Sequence, residues 1–130
     1  MKISIVLNKS LSHGEKANCT AILMGQLAVC VPEIYDTAPV RDDKGILHAS
    51  IKNNVIVLET SANKVQHLPE SLHDIRYIVF TDVGQSYSNS YDIYKSDIEQ
   101  GKTPYQIQGI VLYGNEDDIN SVTKKFSLYK

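Results

Sequence analysis

Residues 2–7, Lys-Ile-Ser-Ile-Val-Leu, are nearly continuous in apolar character and rich in Ile. A run of that kind suits a central strand covered on both faces, so the chain must bury a sheet under helices rather than leave one side wet. Residues 77–81 and 107–113 read the same way, and helical patterns separate the three runs. Strands alternating with helices predict a compact α/β sandwich. At 130 residues the chain fits one domain, 1–130, large enough to bury about two-thirds of the surface that its unfolded form exposes.

The first helix announces its start. Ser12-His13-Gly14-Glu15 has the Ser-x-x-Glu spacing of a capping box, in which hydroxyl and carboxylate satisfy orphan amides reciprocally. Residues 17–31 are mostly apolar or small, with Ala17, Ala21, Met24, Ala28 and Val31 on one stripe, which predicts a heavily buried helix ending before Pro32. Residues 32–44 read as an irregular connection, and Asp42-Asp43-Lys44-Gly45 as a turn leading into a hairpin. Residues 46–51 and 55–59 then make two short strands around Lys52-Asn53-Asn54.

Thr60 or Ser61 caps a helix with Val65, Leu68, Leu72 and Ile75 inward, split into two pieces with Pro69 in the first turn of the second. A further helix spans residues 91–100, where Tyr91, Tyr94 and Ile98 share a face and Gly101 supplies the stop. Asn115 caps the last helix, which has Glu116, Asp117 and Asp118 in its positive first turn and Ile119, Val122 and Phe126 inward.

Thirteen basic residues face fifteen acidic ones, a formal charge of −2, and this balance disfavours extended nucleic-acid binding. Lys124, Lys125 and Lys130 are the one dense basic group and read as a helix end. Cys19 and Cys30 lie in one predicted helix, roughly 16 Å apart along its axis, beyond disulfide reach. Both read as buried apolar side chains in a reducing, cytoplasmic compartment. No apolar run approaches membrane-spanning length, and the chain opens on a strand rather than an export signal, so no membrane partner is expected. The histidines and cysteines lack metal-ligand spacing, and neither metal nor cofactor is expected.

Chemistry concentrates at Phe80-Thr81-Asp82-Val83-Gly84-Gln85-Ser86. A carboxylate stands there at the end of a buried strand, where an open α/β sheet presents polar groups to a ligand. Asp82 could orient a water or hold a ligand hydroxyl or amine; its bland reading is an Asx-type turn. Ser86 follows four residues on, with no histidine beside it in sequence to make a Ser-His-Asp nucleophile. His13 and Gly14 sit where the first helix begins, and its free amides could greet an anion. Asn18, an amide in an otherwise apolar helix, needs a hydrogen-bond partner, either structural or in a cleft. Tyr87, Tyr91 and Tyr94 are candidate aromatic walls, with core packing the default for Tyr91 and Tyr94.

Residues 2–21, Asp43-Lys44-Gly45, 80–86, Tyr91 with Tyr94, and 109–130 together resemble domain of unknown function 2000, a small bacterial family. That family is grouped by fold with type 2 peptidyl-tRNA hydrolases, which implies a single-domain three-layer sandwich with a mixed central β-sheet and helices on both faces. The hydrolases carry Gly-Lys-x-Ala-Ala-Gln at the start of the first helix, where the lysine is catalytic. Here Gly14 and Ala17 match, Glu15 stands in the lysine position, Asn18 replaces the second alanine and Cys19 replaces the glutamine. Lys16 comes one position late, a rotation of about 100° around the helix. Asp82-Val83-Gly84-Gln85-Ser86 keeps the carboxylate, glycine and hydroxyl of the hydrolases' Asp-Ala-Gly-x-Thr.

Three functions are therefore in view. The first is small-ligand binding in a cleft between the Asp82 loop and the start of the first helix, with Asn18, Gly14, His13 and Gly84 lining it. The second is a hydrolase resembling peptidyl-tRNA hydrolase, in which Asp82 and Ser86 activate water and Lys16 substitutes for the displaced base. The third is an interaction module acting as a homodimer through an exposed sheet face.

Overall fold

Ile3, Ile5 and Leu7 face one side of a sheet and Ser4 and Val6 the other, and all five are fully buried. The computed structural model that shows this describes residues 1–86, 90–101 and 104–130. In chain order its elements are β1 (Lys2–Asn8), α1 (His13–Cys30), β2 (Val40–Arg41), β3 (Leu47–His48), β4 (Val55–Thr60), α2 (Ala62–His67), β5 (Arg76–Thr81), α3 (Asp82–Ser86), α4 (Tyr91–Gln100), β6 (Ile107–Gly114), α5 (Glu116–Thr123) and β7 (Ser127–Leu128). Five strands form one mixed sheet in the order β5-β6-β1-β4-β7. β1 runs parallel to β4 and antiparallel to β6, and β5 and β7 pair antiparallel at the two ends.

Each face of the sheet has its own core. On one, Leu23 and Leu27 of α1 pack with Ile3, Ile5, Leu7, Phe80 and Val111. On the other, Val65 of α2, Ile119 of α5, Leu68, Leu72 and Ile75 pack with Val6, Ile110 and Leu112. The chain is thus a single mixed α/β domain with helices on both sides of a central sheet.

The capping box forms as the sequence predicts: Ser12 Oγ accepts from the Glu15 amide and Glu15 Oε1 accepts from the Ser12 amide. The buried stripe of α1 matches the predicted one in part: Met24, Ala28 and Val31 pack against the core, but the first half of the stripe is turned. Lys16, Cys19, Leu23 and Leu27 face the sheet, while Ala17 and Ala21 are exposed, so the helix is covered on one side only. Larger side chains decide the rotation, because Leu buries far more apolar area than Ala. Gly109 permits it, since a Cβ there would lie 2.5 Å from Cys19 Sγ and 3.2 Å from Leu23.

The segment before β4 also departs from expectation. Residues 46–51 and 55–59 do not pair with each other. β4 instead joins β1, where Val55 and Val57 register with Ile3 and Ile5 and share their buried face. The Asp42 turn joins two-residue strands β2 and β3: Asp42 Oδ1 accepts from the Lys44 and Ile46 amides, and Gly45 takes the positive φ of +81°. Bonds from His48 and from those two amides hold the Asp42 carboxyl below its ordinary range.

Ser61 caps α2, and Pro69 opens the short 3-10 turn Leu68–Ser71 that follows, so the two-piece reading holds. α4 runs from Tyr91 to a left-handed Gly101, yet none of its residues is buried, and Tyr91 is 69% exposed. An inward, core-packed face for α4 is therefore corrected. Its tyrosines border a groove instead.

Candidate functional site

Asp82 follows Thr81, the last residue of β5, and begins α3. Its Oδ1 accepts from the amides of Val83 and Gln106, each at 2.9 Å, while its own amide donates to Gln106 O at 3.0 Å. This side chain ties the end of β5 to the start of β6, at a bulge where Phe80 pairs with Gly109 but Thr81 with Ile107. Thr81 Oγ1, at the end of β5, accepts from the Gly84 amide, and within α3 Ser86 Oγ donates to Val83 O. These bonds of Asp82 and Ser86 go to nearby backbone, the Asx-type arrangement that competes with a functional one.

A groove of about 550 Å³ lies beside this loop. Ile22, Leu23 and Gln26 from the middle of α1 form one wall, Ile78 and Phe80 the floor, and Gly84, Ser90, Tyr91 and Tyr94 the other wall. It forms because Ile78 and Phe80 point to the face that α1 covers, while β5 is the outer strand and α1 leaves it partly uncovered. Gly84 sets its depth: a Cβ there would meet the Phe80 ring at 2.8 Å and the Tyr94 hydroxyl at 3.4 Å.

Of the sequence-predicted residues that the structure describes, Gly84 and the α4 tyrosines line this groove. Asn18 is exposed on α1, which meets its hydrogen-bonding need with solvent. Gly14 is exposed too, with open space where a Cβ would be. Tyr87 lies outside the described residues. Sequence reasoning misses Ile22, Gln26 and Phe80: Ile22 and Phe80 resemble core, and Gln26, a polar residue within an apolar helix, is the one signal that could have pointed here.

Lys16 and His13 belong to a different cluster. Lys16 Nζ lies 2.8 Å from Glu59 Oε2 and 4.8 Å from the centre of the Tyr129 ring. His13 stacks on that ring, with Nδ1 2.6 Å from the Tyr129 hydroxyl. Glu59 registers with Leu7 and so faces α1. β4 and β5 are three strand steps apart, about 14 Å at about 4.8 Å per step, so Lys16 and Asp82 anchor opposite sides of this edge. A reader of the sequence could have suspected Glu59, the one acid on the alternating inward positions of β4.

Burial pushes the Cys19 thiol up to about 12, whereas Cys30 is exposed; both are free. Among the described residues no cluster of three or more His, Cys, Asp or Glu could hold a metal ion. No described helix is long and apolar enough to cross a membrane.

No curated protein matches the chain. Among solved structures, it is similar to a protein of unknown function, Atu0240, from Agrobacterium tumefaciens strain C58, with a TM-score of 0.84 at 20% identity over 99% of this chain and 97% of that one. At that identity the likeness speaks to fold alone. The family model for a protein of unknown function, DUF2000, matches residues 1–130, and the chain belongs to that family.

Proposed function

We propose that this protein binds a small, uncharged, largely aromatic molecule in the groove between α1, β5 and α4. The observation that carries this reading is the groove's makeup: apolar and aromatic walls, with the Gln26 amide and Ser90 as polar groups, in about 550 Å³. That volume and balance suit small-molecule sites, where apolar contact supplies affinity and a few polar groups fix orientation. The described lining carries no ionisable group other than the two phenols, which favours a neutral ligand over a phosphorylated one. The ligand therefore sits beside the middle of α1 rather than at its start, and Asp82 serves it by fixing α3 and Gly84.

Hydrolysis of a peptidyl-tRNA-like ester is the weaker reading. The amine and carboxylate it would pair stand three strands apart, and the carboxylate's Oδ1 is engaged by two amides. The frame itself, a mixed sheet between helices, supports kinship in fold with type 2 peptidyl-tRNA hydrolases.

A thermal-shift screen with indole, naphthol and coumarin tests the proposal, because a ligand that prefers the native state raises apparent stability. At least one is expected to raise the Tm of the wild type and not that of Ile22→Glu. Ile22 is 43% exposed, so the variant places a charge in the groove mouth without emptying the core. Equal shifts in both proteins contradict the groove as the site.

A further inference from the structure

The cluster around Lys16 is separate from the groove and carries a second inference. Lys16 sits on the buried stripe of α1, its side chain 7% exposed, against a Glu59 that is 25% exposed. Taking an ammonium out of water is costly unless something covers and compensates it. Here the cover is the segment 127–130. Tyr129 lays its ring over Lys16 Nζ, and the ring's hydroxyl meets His13 at the exposed start of α1.

What holds that cover is slight. β7 is two residues long, Leu128 is 55% exposed, and the strand borders β4 at the outer edge of the sheet. Beyond it the anchors are the Tyr129 amide donating to Val57 O at 2.9 Å, the solvent-facing contact with His13, and the half-buried Tyr129 ring packed against the margin of the core. Short edge strands with few buried contacts open at a free energy well below that of the whole fold. By contrast the pair beneath is anchored on α1 and on β4, which pairs with β1 along its whole length, Val55 to Thr60.

We propose that residues 127–130 form a strap that opens and closes over Lys16 and Glu59 while the rest of the domain stays folded. Closed, Tyr129 takes up the cationic face of Lys16. Open, an amine and a carboxylate 2.8 Å apart become accessible at the edge where the parallel strands β1 and β4 end. The strap thereby makes the accessibility of Lys16 depend on residues 127–130.

Amine acetylation by an N-hydroxysuccinimide ester, read residue by residue in a mass spectrometer, tests this in the folded protein. Lys95, 57% exposed, reports free reactivity, and the Cys19 thiol, buried beneath α1, reports global unfolding through its alkylation. Lys16 in the wild type is expected to react about tenfold or more slower than Lys95, and Tyr129→Ala to close most of that gap while Cys19 stays protected. Unchanged Lys16 protection in Tyr129→Ala overturns the proposal.

Should Tyr129→Ala lose Cys19 protection, the wild type alone decides. Local opening exposes little surface, so Lys16 acetylation rises less steeply with low urea than Cys19 alkylation does. Equal slopes mean that Lys16 is reached only by global unfolding, which also overturns the strap.

Discussion

The sulfur of Cys19 occupies the space that a side chain on residue 109 would need: a Cβ built on Gly109 falls 2.5 Å from Cys19 Sγ. This contact sets the depth to which α1 sinks onto β6. It also explains why Cys19, rather than the neighbouring alanines, lies on the buried stripe. Gly109→Ala is expected to destabilise the protein by about 1–3 kcal/mol through overpacking. Combining it with Cys19→Ala should return part of that loss, so a double-mutant cycle by urea denaturation should show coupling of about 1 kcal/mol. Simple additivity would mean that α1 shifts freely instead.

The Lys16–Glu59 pair makes an asymmetric prediction. Glu59→Gln leaves a buried ammonium without its counter-charge and is expected to cost about 3 kcal/mol or more. Lys16→Met leaves the half-buried Glu59 able to turn toward water and refills the stem's volume, so its cost should be lower by about 1 kcal/mol or more. Chemical denaturation of the two variants checks the order, and the reverse order would contradict the geometry.

Asp82 should tolerate amidation and resist truncation. Asp82→Asn keeps an oxygen acceptor for the Val83 and Gln106 amides, whereas Asp82→Ala orphans both and is expected to cost about 1–3 kcal/mol. If Asp82→Asn is as damaging as Asp82→Ala, the carboxylate's charge matters beyond these two bonds.

The two cysteines should differ in solution. A thiol reagent at neutral pH is expected to modify Cys30 promptly and Cys19 only on unfolding, since burial keeps the Cys19 thiol protonated up to about 12. The unfolded thiol ionises near 9, so the native state holds a proton that the unfolded chain has released. This contribution to stability is full below pH 9 and is lost as the pH rises from 9 toward 12. The Cys19→Ala variant should lack that alkaline fall, which a series of denaturation curves across the window would reveal.

Much of the fold can be read from local signals that agree with one another. Ser12, Ser61 and Asn115 all cap helices, Gly101 takes the left-handed stop, and Pro69 begins a turn rather than breaking one. The failures arise where tertiary context overrides pattern. Val55 and Val57 look like half of a hairpin, but the face of β1 beside them offers more burial than the short strand at Leu47. Ala17 and Ala21 look like a buried stripe, but alanine carries too little area to choose a helix face against Leu23 and Leu27.

The site was less legible for a different reason. Asp82 is conspicuous as a polar residue at a strand end, and its bonds to the Val83 and Gln106 amides hold the loop together. The groove beside it is built from Ile22, Ile78 and Phe80, which resemble core until one sees that β5 is the outer strand and that α1 leaves it partly bare.

Amide chemical-shift mapping of the protein titrated with the best aromatic probe tests the central claim most directly. Saturable shifts concentrated at Ile22, Gln26, Phe80, Gly84 and Tyr94, and absent in Ile22→Glu, are the predicted result. Shifts that gather elsewhere, or that never saturate, would contradict a binding site between α1, β5 and α4.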